Sequence, residues 1–131
     1  MINTKELPPC PVETTLLMMG DKWKILIVRD LLTGTKRFGE LKRSVGNITQ
    51  KVLTQNLRMM EENGLVNRKV YAEVPPKVEY TLTGLGLSLK SILDSMQNTI
   101  TVIIKSRGMA CSSRFPIYFT KNRHLSLSST F

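Results

Sequence analysis

The side chains best suited to chemistry lie along residues 48–64, where amide, hydroxyl and cationic groups recur at helical spacing. Carboxylates are absent from this stretch until Glu61 and Glu62, at its far end. Amide and guanidinium groups hydrogen-bond to base edges and to phosphate oxygens, whereas carboxylates repel phosphates. The pattern therefore favours contact with a nucleic acid through six residues: Thr49, Gln50, Lys51, Thr54, Gln55 and Arg58.

A single helix is needed to present these groups on one side. Thr49 is suited to cap its start, and Gly64 stands where a helix typically ends. The opposite side carries an apolar stripe at helical spacing, formed by Val52, Leu53, Leu57 and Met60. An ordinary amphipathic surface helix, whose polar face meets only water, is the alternative interpretation of the same pattern.

The charge of the chain also points to an anionic partner. Its 131 residues include 19 Lys and Arg against 10 Asp and Glu, a formal net charge of +9. Such a balance favours nucleic acid first and an anionic membrane surface second. The excess is uneven, because all the acidic residues lie within residues 1–104 and none within the basic segment 105–131.

Cysteine and histidine usage argues against catalysis and against a metal site. His124 is the single histidine, so the sequence offers no cluster of histidines for a metal and no evident general base. Cys10 and Cys111 do not make a disulfide framework, which favours a reducing compartment. We expect no enzyme activity, no cofactor and no bound metal.

The N-terminal segment predicts a cytoplasmic location. Residues 1–9 lack the apolar core of a signal peptide and read as an extended arm. No apolar run in the sequence approaches the roughly 20 residues of a membrane span. The chain is therefore expected to act without a membrane.

Three helices are predicted before the polar helix. The first begins at Pro11 with Cys10 as its N-cap, and the second runs from Lys22 to about Leu32 with Asp21 as its cap. The third covers residues 37–45, and a Gly-Asn turn joins it to the polar helix. Two helices joined by a short glycine-containing turn are typical of a helix-turn-helix. Four cations surround the third helix on its polar side, Lys36, Arg37, Lys42 and Arg43, and the first three are expected to contact the DNA backbone.

After Gly64 the apolar period changes from 3.6 to 2, which predicts two strands around a Pro-Pro loop. A two-stranded ribbon after a helix-turn-helix predicts a winged helix, a mainly α fold with a small β wing. Arg68, Lys69 and Lys77 are the wing cations expected to meet the DNA backbone. Alternatively, the hairpin only covers the core.

One last helix is predicted from its cap at Thr83 to about Ile103. Its apolar stripe is longer than a small core absorbs, so self-association is expected through Leu89, Ile92, Leu93, Met96 and Ile100. A helix that packs only on its own chain is the alternative. The predicted organisation is an arm at 1–9, a winged-helix and dimerisation domain at 10–104, and an atypical basic tail at 105–131.

Several motifs together resemble the HxlR-type winged-helix transcription regulators, relatives of the MarR fold. They are CPV at 10–12, GDKW at 20–23, RFGEL at 37–41, TQKVLT at 49–54, Leu57 with EENGLV at 61–66, and RKVYAEVPPKVEY at 68–80. The resemblance spans about residues 7–96, and from Asn98 to Lys105 the chain becomes strongly β-branched and apolar and departs from the family pattern. It implies a homodimer that binds a pseudo-palindromic DNA operator, with the polar helix in the major groove, and repression as the commoner outcome.

Cys10 is the candidate redox site. The partial positive charge at the start of a helix stabilises a thiolate. The resemblance implies that an N-terminal cysteine at this position can sense oxidants or electrophiles, so an oxidant or a small-molecule effector is compatible with this chain. A cysteine that only packs is the alternative, and Cys111 is treated as incidental.

Three other classes of protein are alternatives to an operator-binding regulator, and the first is an enzyme, for which one histidine and scattered carboxylates offer no base, nucleophile or metal set. A non-specific or architectural nucleic-acid binder would use charge alone, with weak sequence discrimination and a steep salt dependence. The amide-rich face argues against it. A protein-interaction module that has lost DNA binding is the third, and the cations Lys51 and Arg58 argue against that alternative.

Overall fold

The computed structural model describes residues 6–108 and shows six helices and three strands within them. In chain order they are α1 (Pro11–Met19), α2 (Lys22–Leu31), β1 (Lys36–Arg37), α3 (Phe38–Val45), α4 (Gln50–Glu62), β2 (Val66–Tyr71), β3 (Lys77–Leu82), α5 (Gly84–Ser88) and α6 (Lys90–Ser106). The mainly helical fold with a small sheet agrees with the sequence prediction. Because β2 and β3 follow α4 directly, the two elements expected to meet DNA are neighbours.

The starts of α1 and α2 follow from their capping residues. Cys10 is the extended N-cap of α1, and Pro11 occupies the first turn, where a missing N–H costs no hydrogen bond. The Asp21 carboxylate caps α2 by accepting from the Trp23 N–H at 2.6 Å. Both predicted caps are confirmed. α2 then buries Ile27 and two further apolar residues of the core.

The helix-turn-helix is formed by α3 and α4. Gly46 ends α3 with a φ of 102°, a conformation that favours glycine. Ile48 follows as a buried residue of the turn, and Thr49 caps α4 by accepting from the Val52 N–H at 3.3 Å. A hydrogen bond of 2.6 Å from the Ser44 hydroxyl to the Asp30 carboxylate ties α3 to α2. These contacts set the position of α4 against the core.

The sheet has one more strand than the sequence predicted. Its order is β1-β3-β2, with both pairs antiparallel. Arg37, predicted as the first residue of the third helix, is instead the end of β1, and its N–H donates to the Glu40 carboxylate at 2.7 Å. We call β2, the loop 72–76 and β3 the wing. Since β1 pairs with the outer edge of β3, the wing is anchored to the start of α3.

The prediction of one continuous C-terminal helix is wrong in its first part, because the structure has two helices there, α5 and α6, with a break at Leu89. Gly86 lies so close to the chain before β2 that a Cβ there would be 2.3 Å from the Leu65 carbonyl oxygen. Leu89, at the break, is buried in the core. The short α5 therefore packs on the sheet, and a second helix starts after it.

The chain divides into two compact units after Met96. The first unit holds the core, which is lined by Met19, Ile27, Val28, Leu31, Leu41, Val45, Ile48, Leu53, Leu57, Met60, Leu65, Val66, Tyr80, Leu82 and Leu89. In the second, α6 continues to Ser106, two residues beyond the predicted boundary at 104. Most of the predicted basic tail and residues 1–5 of the arm lie outside the described residues. Within residues 6–108, none of the helices is long and apolar enough to cross a membrane.

Candidate nucleic-acid interface

α4 presents the polar face that its sequence predicts. Leu53, Leu57 and Met60 are buried, and Val52 is half-buried. The side chains on the opposite side are exposed for Gln50, Lys51, Gln55 and Arg58. The helix therefore holds two amides and two cations at the surface on a backbone fixed by the core.

The two threonines of this face are partly engaged within the helix. The Thr49 oxygen accepts the capping hydrogen bond from Val52, which leaves its O–H able to donate outward. The Thr54 hydroxyl donates to the Gln50 carbonyl at 2.8 Å, and its side chain is half-buried. Thr54 can thus accept a hydrogen bond from a base but does not offer a proton to a phosphate in this conformation.

Asn56 is a polar residue of α4 that sequence reasoning missed. It is buried, and its Nδ2 donates to the Val52 carbonyl at 2.9 Å. Its spacing from Leu53 and Met60 places it on the apolar stripe, a signal that was available in the sequence. Asn56 therefore supports the helix from inside and is not part of the exposed face.

The wing cations have different environments. Arg68 and Lys69 are exposed, whereas Lys77 is half-buried and forms an ion pair of 2.7 Å with Glu79. The ammonium groups of Lys69 and Lys77 lie 4.8 and 4.7 Å from the centre of the Tyr71 ring, and the Tyr71 hydroxyl donates to Glu79 at 3.0 Å. Of the three predicted wing contacts, Lys77 is the one already held by a carboxylate.

Glu79 is the centre of this arrangement. The hydrogen bond from Lys77 is the largest cause that lowers the pKa of the Glu79 carboxyl, partial desolvation opposes it, and the Tyr71 hydroxyl adds to the lowering. Arg37 lies opposite Glu79 in the β1–β3 register and contributes as a nearby positive charge. Glu79 thus remains ionised and joins three side chains of the sheet.

The cations expected around α3 are all at or near the surface. Arg37 and Lys42 are exposed, and Lys36 is half-buried on β1. Arg43, which was not among the predicted contacts, is also exposed and donates from Nε to the Gly39 carbonyl at 3.2 Å. Positive charge therefore extends from α4 to the start of α3 and to the wing.

Cys10 is exposed at the N-cap of α1, and its side chain makes no capping hydrogen bond. It is the cysteine of the described residues, since Cys111 and also His124 lie outside them. No group of histidine, cysteine or carboxylate side chains within residues 6–108 is arranged to hold a metal ion.

The predicted dimer residues do not all face outward. Leu89 needs correction, because it is 6% exposed and belongs to the chain's own core. Leu93 is half-buried and packs against that core, whereas Ile92 and Met96 are exposed in the first unit. Ile100, in the second unit, is 49% exposed.

Helix α1 adds apolar surface that the prediction of the dimer residues missed. Val12, Leu16 and Leu17 are each more than half exposed. Met19 is the one buried residue of this nine-residue helix, so three of its apolar side chains lie at the surface. Apolar surface of this kind often marks a contact with another protein. The signal in the sequence was the density of apolar residues over positions 16–19.

Comparison with known proteins gives concordant matches over this part of the chain. A family profile described as an HxlR-like helix-turn-helix matches residues 18–107. The chain is 54% identical over 87 residues to the uncharacterized HTH-type transcriptional regulator YkvN of Bacillus subtilis strain 168, a match that covers 66% of this chain and 74% of YkvN.

Solved structures give the same result. The crystal structure of YtcD, named as an HTH-type transcriptional regulator, aligns with a TM-score of 0.70 and 50% identity over 73% of this chain and 98% of YtcD. The redox regulator HypR in its oxidized form aligns with a TM-score of 0.64 and 47% identity over 68% of this chain and 92% of HypR. The residues that the family profile matches, 18–107, include α4 and the wing.

Proposed function

Since the chain belongs to the HxlR-like helix-turn-helix family of DNA-binding transcription regulators, we propose that it represses transcription by binding a specific operator. The observation that carries this proposal is the exposed, carboxylate-free face along the first nine residues of α4. A charge-only binder needs cations alone, whereas this face places Gln50 and Gln55 among them. Paired amides of this kind discriminate bases.

The residues of the face divide by chemistry. Gln50 and Gln55 can each make two hydrogen bonds to one adenine edge in the major groove. Lys51 and Arg58 are suited to phosphates or to a guanine edge. Thr49 donates its free proton at the helix start, and Thr54 packs its methyl group or accepts a hydrogen bond. Wing cations Arg68 and Lys69 meet the adjacent backbone, while Lys36, Arg37, Lys42 and Lys77 add positive potential.

The proposal includes a homodimer. Ile92, Met96 and Ile100 recur at four-residue steps along α6, and all three are exposed in the single chain, as are Val12 and Leu16 of α1. Apolar side chains left at the surface in this number favour a second protein surface over water. A two-fold dimer places two copies of α4 against half-sites about one helical turn apart, which predicts a pseudo-palindromic operator. Because the target is genomic DNA, we place this non-catalytic function in the cytoplasm.

Selection of bound sequences from a random pool of duplex DNA at physiological salt tests the proposal. An enriched inverted repeat is expected, and Gln50→Ala or Gln55→Ala should each relax the preference at one position by about 1–3 kcal/mol per lost base contact. Gln97→Ala, which changes a glutamine on α6, is the matched control and should leave the motif unchanged. A pool without a motif, together with binding that vanishes as salt is added, would instead support the non-specific binder.

A response to oxidants is a second proposal, and the exposure of Cys10 at an N-cap favours it. HypR, to which the chain is similar, is named a redox regulator. Oxidation by diamide would join the Cys10 thiols of two protomers in a disulfide, with two protons and two electrons passing to diamide. The bond would shift one copy of α4 relative to the other.

Cys10→Ser separates this switch from DNA binding. The variant is expected to bind the selected duplex as the parent does and to keep that binding in diamide, while the parent loses it. Cys111→Ser is the matched control and should respond like the parent. An equal loss of binding in Cys10→Ser and in the parent would remove Cys10 as the sensor.

A further inference from the structure

A small cleft lies between the C-terminal half of α4 and the sheet, and arginines from both elements line it. Arg58 comes from α4 and Arg68 from β2, while the buried side chains of Leu57 and Tyr80 close its inner side. Its volume is about 160 Å³. Glu61, one turn after Leu57, is the carboxylate of the lining.

Both guanidinium groups are available for a ligand. Arg58 and Arg68 are exposed, and neither takes part in an ion pair within residues 6–108. Glu61 is also outside the ion pairs of that part of the chain. The lining thus combines two unpaired cations with one carboxylate, and its charge favours a single anionic group. A guanidinium binds the oxygens of a phosphate through a planar pair of donors.

The geometry of duplex DNA identifies the anion. The major and minor grooves are separated by one sugar-phosphate strand. A protein that places α4 in the major groove and the wing in the next groove must therefore let that strand pass between the two elements. The cleft lies between these two elements, because Arg58 belongs to α4 and Arg68 to β2 of the wing.

We propose that Arg58 and Arg68 bind one and the same phosphodiester of this strand, so that the cleft fixes the register of α4 and the wing on DNA. The inference rests on the proposed DNA-binding function and adds a specific phosphate subsite to it. The two residues act as one unit. Glu61 limits the strength of the subsite, since its charge opposes that of the phosphate.

The salt dependence of binding to a mixed-sequence duplex tests the shared phosphate. Each neutralised phosphate contributes about 0.9 to the slope of log K against log salt concentration. Arg58→Gln and Arg68→Gln should each reduce the slope by less than this, because one cation remains on the phosphate. The double variant should reduce it by about 0.9 in total. A double variant that reduces the slope by about 1.8 would show two independent phosphates and overturn the proposal.

Lys69→Gln provides the control for charge. Lys69 lies on β2, its ammonium group is 4.8 Å from the centre of the Tyr71 ring, and it does not line the cleft. The effects of Lys69→Gln and Arg58→Gln on the slope should simply add. Both arginines are exposed, so thermal unfolding should give the same midpoint for each variant as for the wild-type chain. Unchanged slopes in both single variants and in the double variant would also overturn the subsite.

A duplex with one phosphate replaced by an uncharged methylphosphonate gives an independent measurement. On the selected operator, the wild-type chain should lose affinity at one phosphate beside each half-site, and the Arg58→Gln, Arg68→Gln double variant should be insensitive there. Equal sensitivity of both proteins at every position would contradict the proposal. Failure of the operator function is distinguishable, since it appears in the wild-type chain as the absence of an enriched sequence, whatever the slopes of the variants.

Discussion

Gly86→Ala is expected to destabilise the first unit by about 1–3 kcal/mol, the usual cost of forcing extra carbon into a packed site. A Cβ at Gly86 would lie 2.3 Å from the Leu65 carbonyl oxygen and 2.9 Å from Cδ2 of Leu82. The leucine side chain can move, but the carbonyl is backbone and accepts a hydrogen bond of 3.0 Å from the Thr83 N–H. Alanine therefore fits only if α5 shifts away from the start of the wing.

Urea and thermal unfolding of the full chain measure this effect. A loss of 1 kcal/mol corresponds to a fall in Tm of roughly 4–8 °C for a domain near this size. Gly84→Ala is the matched control in the same helix, because a Cβ there meets nothing within 4 Å. It should leave the stability unchanged or raise it by up to about 1 kcal/mol through helix propensity.

Two results would contradict a close packing of Gly86 against Leu65. A Gly86→Ala variant within about 0.5 kcal/mol of the parent would mean that α5 does not approach the Leu65 carbonyl closely. Equal losses in Gly86→Ala and Gly84→Ala would mean that helix α5, and not its contact with the chain before β2, responds to the substitution.

Three further predictions concern the support of the interface. Leu57→Ala removes a buried side chain of α4 and should cost about 2–5 kcal/mol in urea unfolding; a cost below 1 kcal/mol would mean that α4 is not packed as described. Asp21→Ala removes the cap of α2 and should cost about 0.5–2 kcal/mol, whereas Asp21→Asn should retain most of the stability. Glu79 has a pKa below its ordinary value of 4.5, so its carboxylate stabilises the fold above that pH, and the contribution is lost as the pH falls through the lower folded-state pKa. Glu79→Gln should therefore show less loss of stability on acidification than the parent, and an unchanged acid dependence would contradict the role of the Lys77 and Tyr71 contacts.

The features that sequence reasoning predicted well depend on local chemistry. The caps at Asp21 and Thr49 are set by side chains that bond to the next turn of the same helix. The faces of α4 follow from spacing alone, because one side of an amphipathic helix must be buried. The change of the apolar period from 3.6 to 2 after Gly64 predicted β2 and β3, because successive side chains of a strand point to opposite faces of the sheet.

The features that it missed depend on contacts between distant parts of the chain. β1 has two residues, too few to show an alternating pattern, and exists through its pairing with β3. The break at Leu89 arises where Gly86 packs against Leu65, some twenty positions earlier in the chain. The pairing of Lys77 with Glu79 depends on side-chain direction along β3, the central strand of the sheet, which the sequence alone leaves open.

Comparing the affinities for a selected duplex and for its scrambled counterpart, at one physiological salt concentration, tests the claim that the exposed amides of α4 read base sequence. The wild-type chain should prefer the selected duplex by about a thousandfold or more. The Gln50→Ala, Gln55→Ala double variant should lose most of that preference while it retains its affinity for the scrambled duplex. An equal preference in the variant and the parent, or no preference in the parent, would contradict the claim.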